Sequence, residues 1–317
     1  MEIPYTVTPR PDTGLTNPKL GIWLFLASEV MLFGGLFAGY IFMRLGAEPW
    51  MWPHGWLNVP VGTFNTFVLI ASSVTVILSW EALKMRNYKA FKTWLAITWI
   101  CGLLFLGVKL GYEWPAKFNH FGAYIKKEAA EKYEQWLGNE GSDGRIARGQ
   151  SARLFISGHL THQHEGESNA DYKKREHQAW ADLKDPKVTT VKIAALDEEN
   201  GKNPKSAEHD RAQFWPRDQV ELHEGHEVVL QKSDLVNGYG PFYPKLNTYL
   251  ACYFMITGLH GLHVLGGVIV LFYFWGPGSK LYKTNPVQLS NRIEVAGLFW
   301  HLVDLVWIFV FPIFYLL

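Results

Sequence analysis

The segment that decides the fold is Gly297–Leu317, GLFWHLVDLVWIFVFPIFYLL. It is almost wholly apolar and long enough to cross the hydrocarbon core of a bilayer as a helix. Yet its first half carries His301 and Asp304. The same pattern recurs at Leu24–Gly35, LFLASEVMLFGG, where Glu29 interrupts another apolar run. An ionisable group at membrane depth is costly unless it is partnered, so each of these residues marks a candidate functional position.

Working outward, five windows are long and apolar enough to span: Leu20–Met43, Val61–Leu83, Trp94–Tyr112, Leu246–Trp275 and Ile293–Leu317. Their apolar runs are continuous and do not alternate, which favours helices over barrel strands. The expected fold is an all-α polytopic membrane protein with five transmembrane helices.

Charge is segregated. The stretch 115–245 holds 19 of the chain's 30 basic residues and 21 of its 29 acidic ones, whereas the flanks are rich in Trp and Phe. Three parts are therefore expected: a membrane part at 1–114, a polar insert at 115–245 and a second membrane part at 246–317. The insert has no strong charge bias, so no nucleic-acid role is expected. Its segment YIKKEAAEKYEQWL, from Tyr124 to Leu137, reads as an amphipathic helix.

Short loops set direction. Lys84, Arg86, Lys89 and Lys92 lie between the second and third spans, and Lys280, Lys283 and Arg292 between the fourth and fifth. The positive-inside rule puts the N-terminus in the cytoplasm and the C-terminus outside, with the insert on the outer face. The opening MEIPYTVTPRPDTG has no charged stretch followed by an apolar one, so it does not read as a secretory signal. Cys101 and Cys252 both lie in apolar segments, and no CxxC or CxxCH occurs.

The polar residues inside the spans are the candidate site. Phe25, Leu32 and Phe33 share a helix face with Glu29, which is open to burial against a hydroxyl, to proton carriage or to contact with a lipid headgroup. Gly35 and Gly39 would let another helix approach. Thr66 and Ser73, seven apart, read as polar glue between helices. His260 and His263 lie three apart in TGLHGLHVLGG. They could ligate a metal, but only His301 remains as a further membrane histidine, so hydrogen-bonded or lipid-contacting roles fit better. Glu294, Gly297, His301, Asp304 and Ile308 form one stripe, on which His301 and Asp304 can bond each other at i, i+3.

Eight of the twelve histidines fall in the insert. His159, His162, His164, His223 and His226, with neighbouring carboxylates, are a candidate zinc or copper site. Their spacing matches no closed site and no thiolate is at hand. Docking onto a neighbouring subunit or a cytochrome is the favoured reading of the insert, with a solvated arm as the third.

LFLASEVMLFGGLFAGY, LNVPVGTFNTFVLIASSVTVILSWEAL, ITGLHGLHVLGGVIVL and EVAGLFWHLVDLVWIFVFPIFYLL together resemble subunit III of the haem–copper terminal oxidases. The resemblance covers all five spans in order. It places Glu29, His260, His263, Glu294, His301 and Asp304 at the family's buried polar positions. KLGYEW resembles a Gln-x-x-Glu-Tyr run and adds Glu113. The resemblance implies an accessory subunit of a cytochrome c oxidase in the bacterial cytoplasmic membrane, with the insert periplasmic. It implies no metal or other cofactor on this chain, the haems and copper lying on partner subunits I and II, and bound phospholipids. Such a subunit supports proton uptake, retains lipid and stabilises subunit I. A cytochrome c donor or another respiratory complex near the insert is a further expected partner. The mitochondrial form has seven helices, and this chain lacks counterparts of the first two. A quinol oxidase subunit III, a homologue associated with nitric oxide reductase and an independent proton-coupled transporter remain alternatives. The resemblance says nothing about the insert.

Overall fold

The computed structural model describes residues 16–47, 52, 57–126, 128–129, 132, 154–158, 160–161, 167–193, 219–220, 228–236 and 239–316. Five of its helices are long and apolar enough to cross a membrane. These are α1 (Asn17–Gly46), α2 (Val59–Lys84), α3 (Tyr88–Val108), α5 (Thr248–Trp275) and α6 (Pro286–Phe311). Two of them end in π-helical turns: α3 runs on through Lys109–Glu113 and α6 through Pro312–Leu316. Between α3 and α5 lie strands β1 (Phe121–Ile125), β2 (Leu154–Gly158), β3 (Thr190–Ile193), β4 (Gln219–Val220), β5 (Val228–Gln231) and β6 (Gly240–Pro241), and helix α4 (Asn169–Lys184).

Local sequence fixes the helix ends. Asn58, Asn87 and Asn285 cap α2, α3 and α6, accepting from the amides of Val61, Ala90 and Gln288 at 3.0–3.1 Å. Each satisfies an amide that the first turn would leave bare. Pro60 and Pro286 sit in the first turn, where a missing N–H costs nothing. Arg86, at φ +58°, turns the chain sharply between α2 and α3.

The chain divides into two compact units. The first comprises Met1–Phe42, Leu57–Glu113 and Tyr253–Leu317. Its centre is Trp300 of α6, fully buried. A methyl at Gly102 would lie 2.7 Å from the Trp300 ring, and so would one at Gly267. Two glycines, one on α3 and one on α5, thus clear the space that the indole fills. Its Nε1–H donates to Ser72 Oγ on α2 at 2.9 Å. At the other end of α5, the Trp275 indole donates to the Lys92 carbonyl at 3.1 Å, while the Lys92 ammonium donates to the Trp275 carbonyl.

Helix α1 is held differently. Only Leu26, Phe33 and Tyr40 of it are buried. They are seven residues apart, a single narrow seam. Tyr40 packs at a tilt against Phe314, ring centres 4.6 Å apart, and donates to the Ile313 carbonyl at 3.3 Å, and Phe33 meets the His263 ring edge-on at 5.3 Å. The close approach expected at Gly35 and Gly39 is not made among the described residues: a methyl added at Gly34, Gly35 or Gly39 would have none of them within 4 Å.

The second unit comprises Met43–Trp56 and Trp114–Cys252. Its larger sheet has the order β4-β2-β1-β6, and β3 pairs with β5. β1 and β2 are antiparallel, from Phe121 opposite Gly158 to Ile125 opposite Leu154. Its core joins Phe121, Ala123, Ile125, Leu183, Val191, Ile193, Leu230 and Leu235. The insert thus adds strands to a chain whose membrane part is all helix. One expectation is corrected: Tyr124 and Ile125, read as the start of an amphipathic helix, lie in β1. Tyr124 pairs with Phe155, thirty-one residues on, and Ile125 bridges Leu235. These non-local pairings outweigh the local helical pattern, which sequence periodicity alone reads.

Candidate polar sites within the helical unit

Three polar clusters interrupt the apolar packing of the first unit. The first joins α1 to α5. Glu29 Oε2 lies 2.9 Å from His263 Nε2, both side chains largely but not fully covered. The opposite ring nitrogen, Nδ1, lies 2.8 Å from the Leu259 carbonyl oxygen. A carbonyl can only accept, so Nδ1 carries a proton. One further proton then lies between Nε2 and the carboxyl. The pair is either a carboxylic acid donating to a neutral imidazole or an ion pair, and in both states its net charge is zero. Phe33 and Phe299 flank the imidazole at 5.3 and 6.2 Å. Near the start of α1, the Lys19 ammonium lies 2.8 Å from the Glu294 carboxylate.

The second cluster joins α2 to α6. His301 Nδ1 lies 2.6 Å from Ser73 Oγ. Trp307 Nε1 donates to Thr66 Oγ1 at 3.0 Å. The two hydroxyls, seven apart on α2, therefore receive two rings six apart on α6, as expected of polar glue. The bond expected between His301 and Asp304 does not form. His301 reaches across to α2 instead. Asp304 is buried and faces Ser72 and Ser73, but among the described residues neither of its oxygens meets a donor in full hydrogen-bond geometry. The reason lies in the serines: Ser72 donates back to the Leu69 carbonyl at 2.7 Å, and Ser73 is engaged by His301.

The third cluster was not read from the sequence, apart from Glu113. Lys109 Nζ donates to Glu113 Oε2 at 2.9 Å and to the Tyr315 hydroxyl at 2.6 Å. The Tyr253 hydroxyl donates to Glu113 Oε1 at 2.8 Å, and the Tyr315 hydroxyl donates to the same oxygen. The lysine and glutamate side chains are 3% and 2% exposed, so the pair is desolvated and survives only because each partner satisfies the other. The Lys109 ammonium also stands 4.9 Å from the ring centres of Tyr253 and Trp307. The π-helical turn at Lys109–Glu113 brings these groups together at the end of α3. The available signal was a Lys and a Glu four apart at the end of an apolar run.

His260 is fully buried, its ring packed between Phe105 at 5.5 Å and Trp307 at 5.1 Å. Among the described residues neither ring nitrogen has a hydrogen-bond partner. Although only three residues apart, His260 and His263 face different neighbours and do not converge on one ligand position. Among the described residues no three His, Cys, Asp or Glu side chains gather as a metal site. The candidate insert histidines His159, His162, His164, His223 and His226 lie outside the described residues.

Chemically, the clusters offer positions that hold protons and lock helices, framed by aromatic rings.

The sequence matches the profile of the family described as cytochrome c oxidase subunit III over residues 11–122 and 229–317, on either side of most of the insert. Cytochrome c oxidase subunit 3 of Alkalihalophilus pseudofirmus is 33% identical over 105 residues, which are 33% of this chain and 48% of that protein. Cytochrome bo(3) ubiquinol oxidase subunit 3 of Buchnera aphidicola is 30% identical over 97 residues, 31% of this chain and 42% of that protein. Heme-copper oxidase subunit I+III of Aeropyrum pernix is 34% identical over 102 residues, 30% of this chain and 12% of that protein. These aligned segments span half or less of each relative's length. With the family profile matched over more than half of its residues, and with five membrane-length helices, the chain belongs to the cytochrome c oxidase subunit III family.

Proposed function

We propose that this chain is the accessory third subunit of a proton-pumping haem–copper oxygen reductase in the bacterial cytoplasmic membrane. In this reading the haems and copper, and with them oxygen reduction, belong to subunits I and II. The chain stabilises subunit I, retains phospholipid and supports proton uptake. The observation that carries the reading is the Glu29–His263 pair. A carboxyl at membrane depth is held next to an imidazole in a proton-sharing bond, on a helix whose remaining surface faces outward. A group so placed can keep and release a proton without leaving a bare charge in the bilayer. The relative from Aeropyrum pernix, whose name joins subunits I and III, supports a partner of the subunit I kind. The insert would lie in the periplasm and dock a neighbouring subunit or an electron donor.

The test is affinity purification of the tagged chain from membranes. The expected result is a complex with an absolute haem spectrum, the haem residing on another polypeptide. Purification without any haem protein overturns the assignment.

A quinol-oxidising complex is a second reading, favoured by the similarity to the ubiquinol oxidase subunit of Buchnera aphidicola. Oxidation of a quinol, and not of reduced cytochrome c, by the same purified complex would select it.

A further inference from the structure

Two side chains in the core of the helical unit are polar, fully buried and unmet. Both amide atoms of Asn65 on α2 and both ring nitrogens of His260 on α5 lack a hydrogen-bond partner among the described residues. Each side chain is 0% exposed. Withdrawing such groups from water without a new partner is costly, and folded proteins leave few of them so. Two at one level of one bundle point to something that they bind.

Independent contacts place them at that level. Thr75 of α2 meets Thr98 of α3 at 2.8 Å. The two helices are joined by the short turn at Met85–Asn87 and run antiparallel. Asn65, ten residues before Thr75, is therefore level with Val108, ten residues after Thr98, and with Lys109 beside it. On the α6 side, Thr66 receives the Trp307 indole, and a methyl at Gly62, one turn from Asn65, would collide with the Tyr315 ring. The His260 ring lies 5.1 Å from Trp307 and 5.5 Å from Phe105, and the Lys109 ammonium stands 4.9 Å from the Trp307 ring centre. Asn65, His260 and Lys109 thus belong to one shell of side chains around Trp307.

Hydrogen-bond accounting narrows the ligand. A neutral imidazole offers one donor and one acceptor, and an amide two donors and an acceptor. Lys109 has three N–H groups; two go to Glu113 and Tyr315, and the third meets no oxygen or nitrogen among the described residues. The nearby hydroxyls are spent: Tyr253 and Tyr315 donate to Glu113, and Thr66 donates to the Gly62 carbonyl at 2.8 Å. The unspent set therefore mixes donors with acceptors, and the Lys109 and Glu113 charges already cancel. A metal ion meets a single imidazole beside an ammonium, and an anion meets the Glu113 carboxylate. A small neutral molecule that both donates and accepts suits the set. We infer that Asn65 and His260 bind internal water, which accepts the third Lys109 proton and donates to the imidazole and to the amide oxygen. Three such partners are what a buried water ordinarily has. The water carries the Lys109–Glu113 network across to α2, so that a charged pair inside a membrane span is hydrated from within.

The test is radiolytic footprinting of the full-length chain in its native complex, held in nanodiscs. A brief X-ray pulse makes hydroxyl radicals from bound as well as bulk water, so a buried ring is oxidised where water sits beside it. Phe105 and Phe91 are matched probes. Both lie on α3 and both are fully buried, but Phe105 packs on His260 and Phe91 on Tyr88. Oxidation of Phe105 is expected to run roughly tenfold faster than that of Phe91, and to carry heavy oxygen after transfer into heavy-oxygen water. Asn65→Leu combined with His260→Phe removes all four unmet atoms and is expected to bring Phe105 down to the Phe91 rate. Equal rates in the native complex overturn the site, and so does a Phe105 rate that the double substitution leaves unchanged. A second measurement needs no variant. In a high-resolution electron-microscopy map of the native complex, density is expected within hydrogen-bond reach of both His260 and Asn65. A map that shows other internal waters and none there overturns the site, and stoichiometric zinc or copper at that position overturns it in favour of a metal.

Discussion

The Lys109 ammonium lies 2.9 Å from the Glu113 carboxylate, one turn away, with both side chains excluded from solvent. Around them the Tyr253 and Tyr315 hydroxyls close the network on the Glu113 carboxylate, so α3, α5 and the end of α6 meet at one charged point. Each partner's charge is tolerable only because of the other.

Removing one partner should therefore do more harm than removing both. Lys109→Met leaves an uncompensated buried carboxylate and is expected to cost about 3–5 kcal/mol. The double variant Lys109→Met with Glu113→Leu should recover most of that loss. Thermal unfolding of the purified complex, followed by loss of its native elution volume, measures both. A double variant no better than the single one contradicts the mutual-compensation account.

Glu29→Gln tests the proton-sharing pair. The amide still donates to His263 Nε2, so helix packing and haem content of the complex should be unchanged. What is lost is the exchangeable proton between the two groups. The expected result is normal initial turnover with faster loss of activity during sustained turnover, read as the number of cycles before inactivation. Loss of haem from the complex would contradict a role confined to protons and lipid.

Gly267→Val and Gly35→Val are expected to behave oppositely. At Gly267 the new side chain collides with Trp300, and overpacking a filled site costs roughly 1–3 kcal/mol or more. At Gly35 none of the described residues lies within 4 Å of an added methyl, so their packing is indifferent. If that bare face is where a partner helix lies, Gly35→Val instead lowers recovery of the haem-bearing subunits with the tagged chain. Expression level and copurification yield, measured on both variants, separate the two effects.

Single cysteines at Ser142 and Ser206 are expected to react with a membrane-impermeant maleimide in intact spheroplasts, since the loop charges favour an outer position for the insert. Reaction only after lysis would reverse the topology.

The five helices were legible because hydrophobicity over some twenty residues leaves little choice in a bilayer, and every helix begins and ends within about seven residues of its expected window. Glu29, His263, His301 and Asp304 were legible as anomalies for the same reason. Their partners were not. Glu29 lies 234 residues from His263, and His301 lies 228 residues from Ser73; no local pattern announces either pairing. The i, i+3 spacing of His301 and Asp304 suggested a bond along the helix, but hydroxyls across the interface on α2 changed the outcome. Lys109 escaped notice because one lysine near a span end looks like an interface anchor until Tyr253 and Tyr315 are seen to surround it. In the insert, strand pairing between distant segments overrode a helix-like stretch at Tyr124.

The narrow seam of α1 has a consequence for biosynthesis. Tyr40 meets Ile313 across 273 residues of chain, and Glu29 meets His263 across 234. A chain made from its N-terminus threads α1 into the bilayer long before α5 and α6 exist. During that interval α1 has only α2 and α3 for company and its carboxyl lacks its partner, because the whole polar insert must be made before the imidazole that receives it arrives. The apolar girdle around the rest of α1, idle in the finished subunit, is what lets the helix wait there. Docking of α1 is therefore a late event, and any interruption of translation before residue 263 strands Glu29 without its partner.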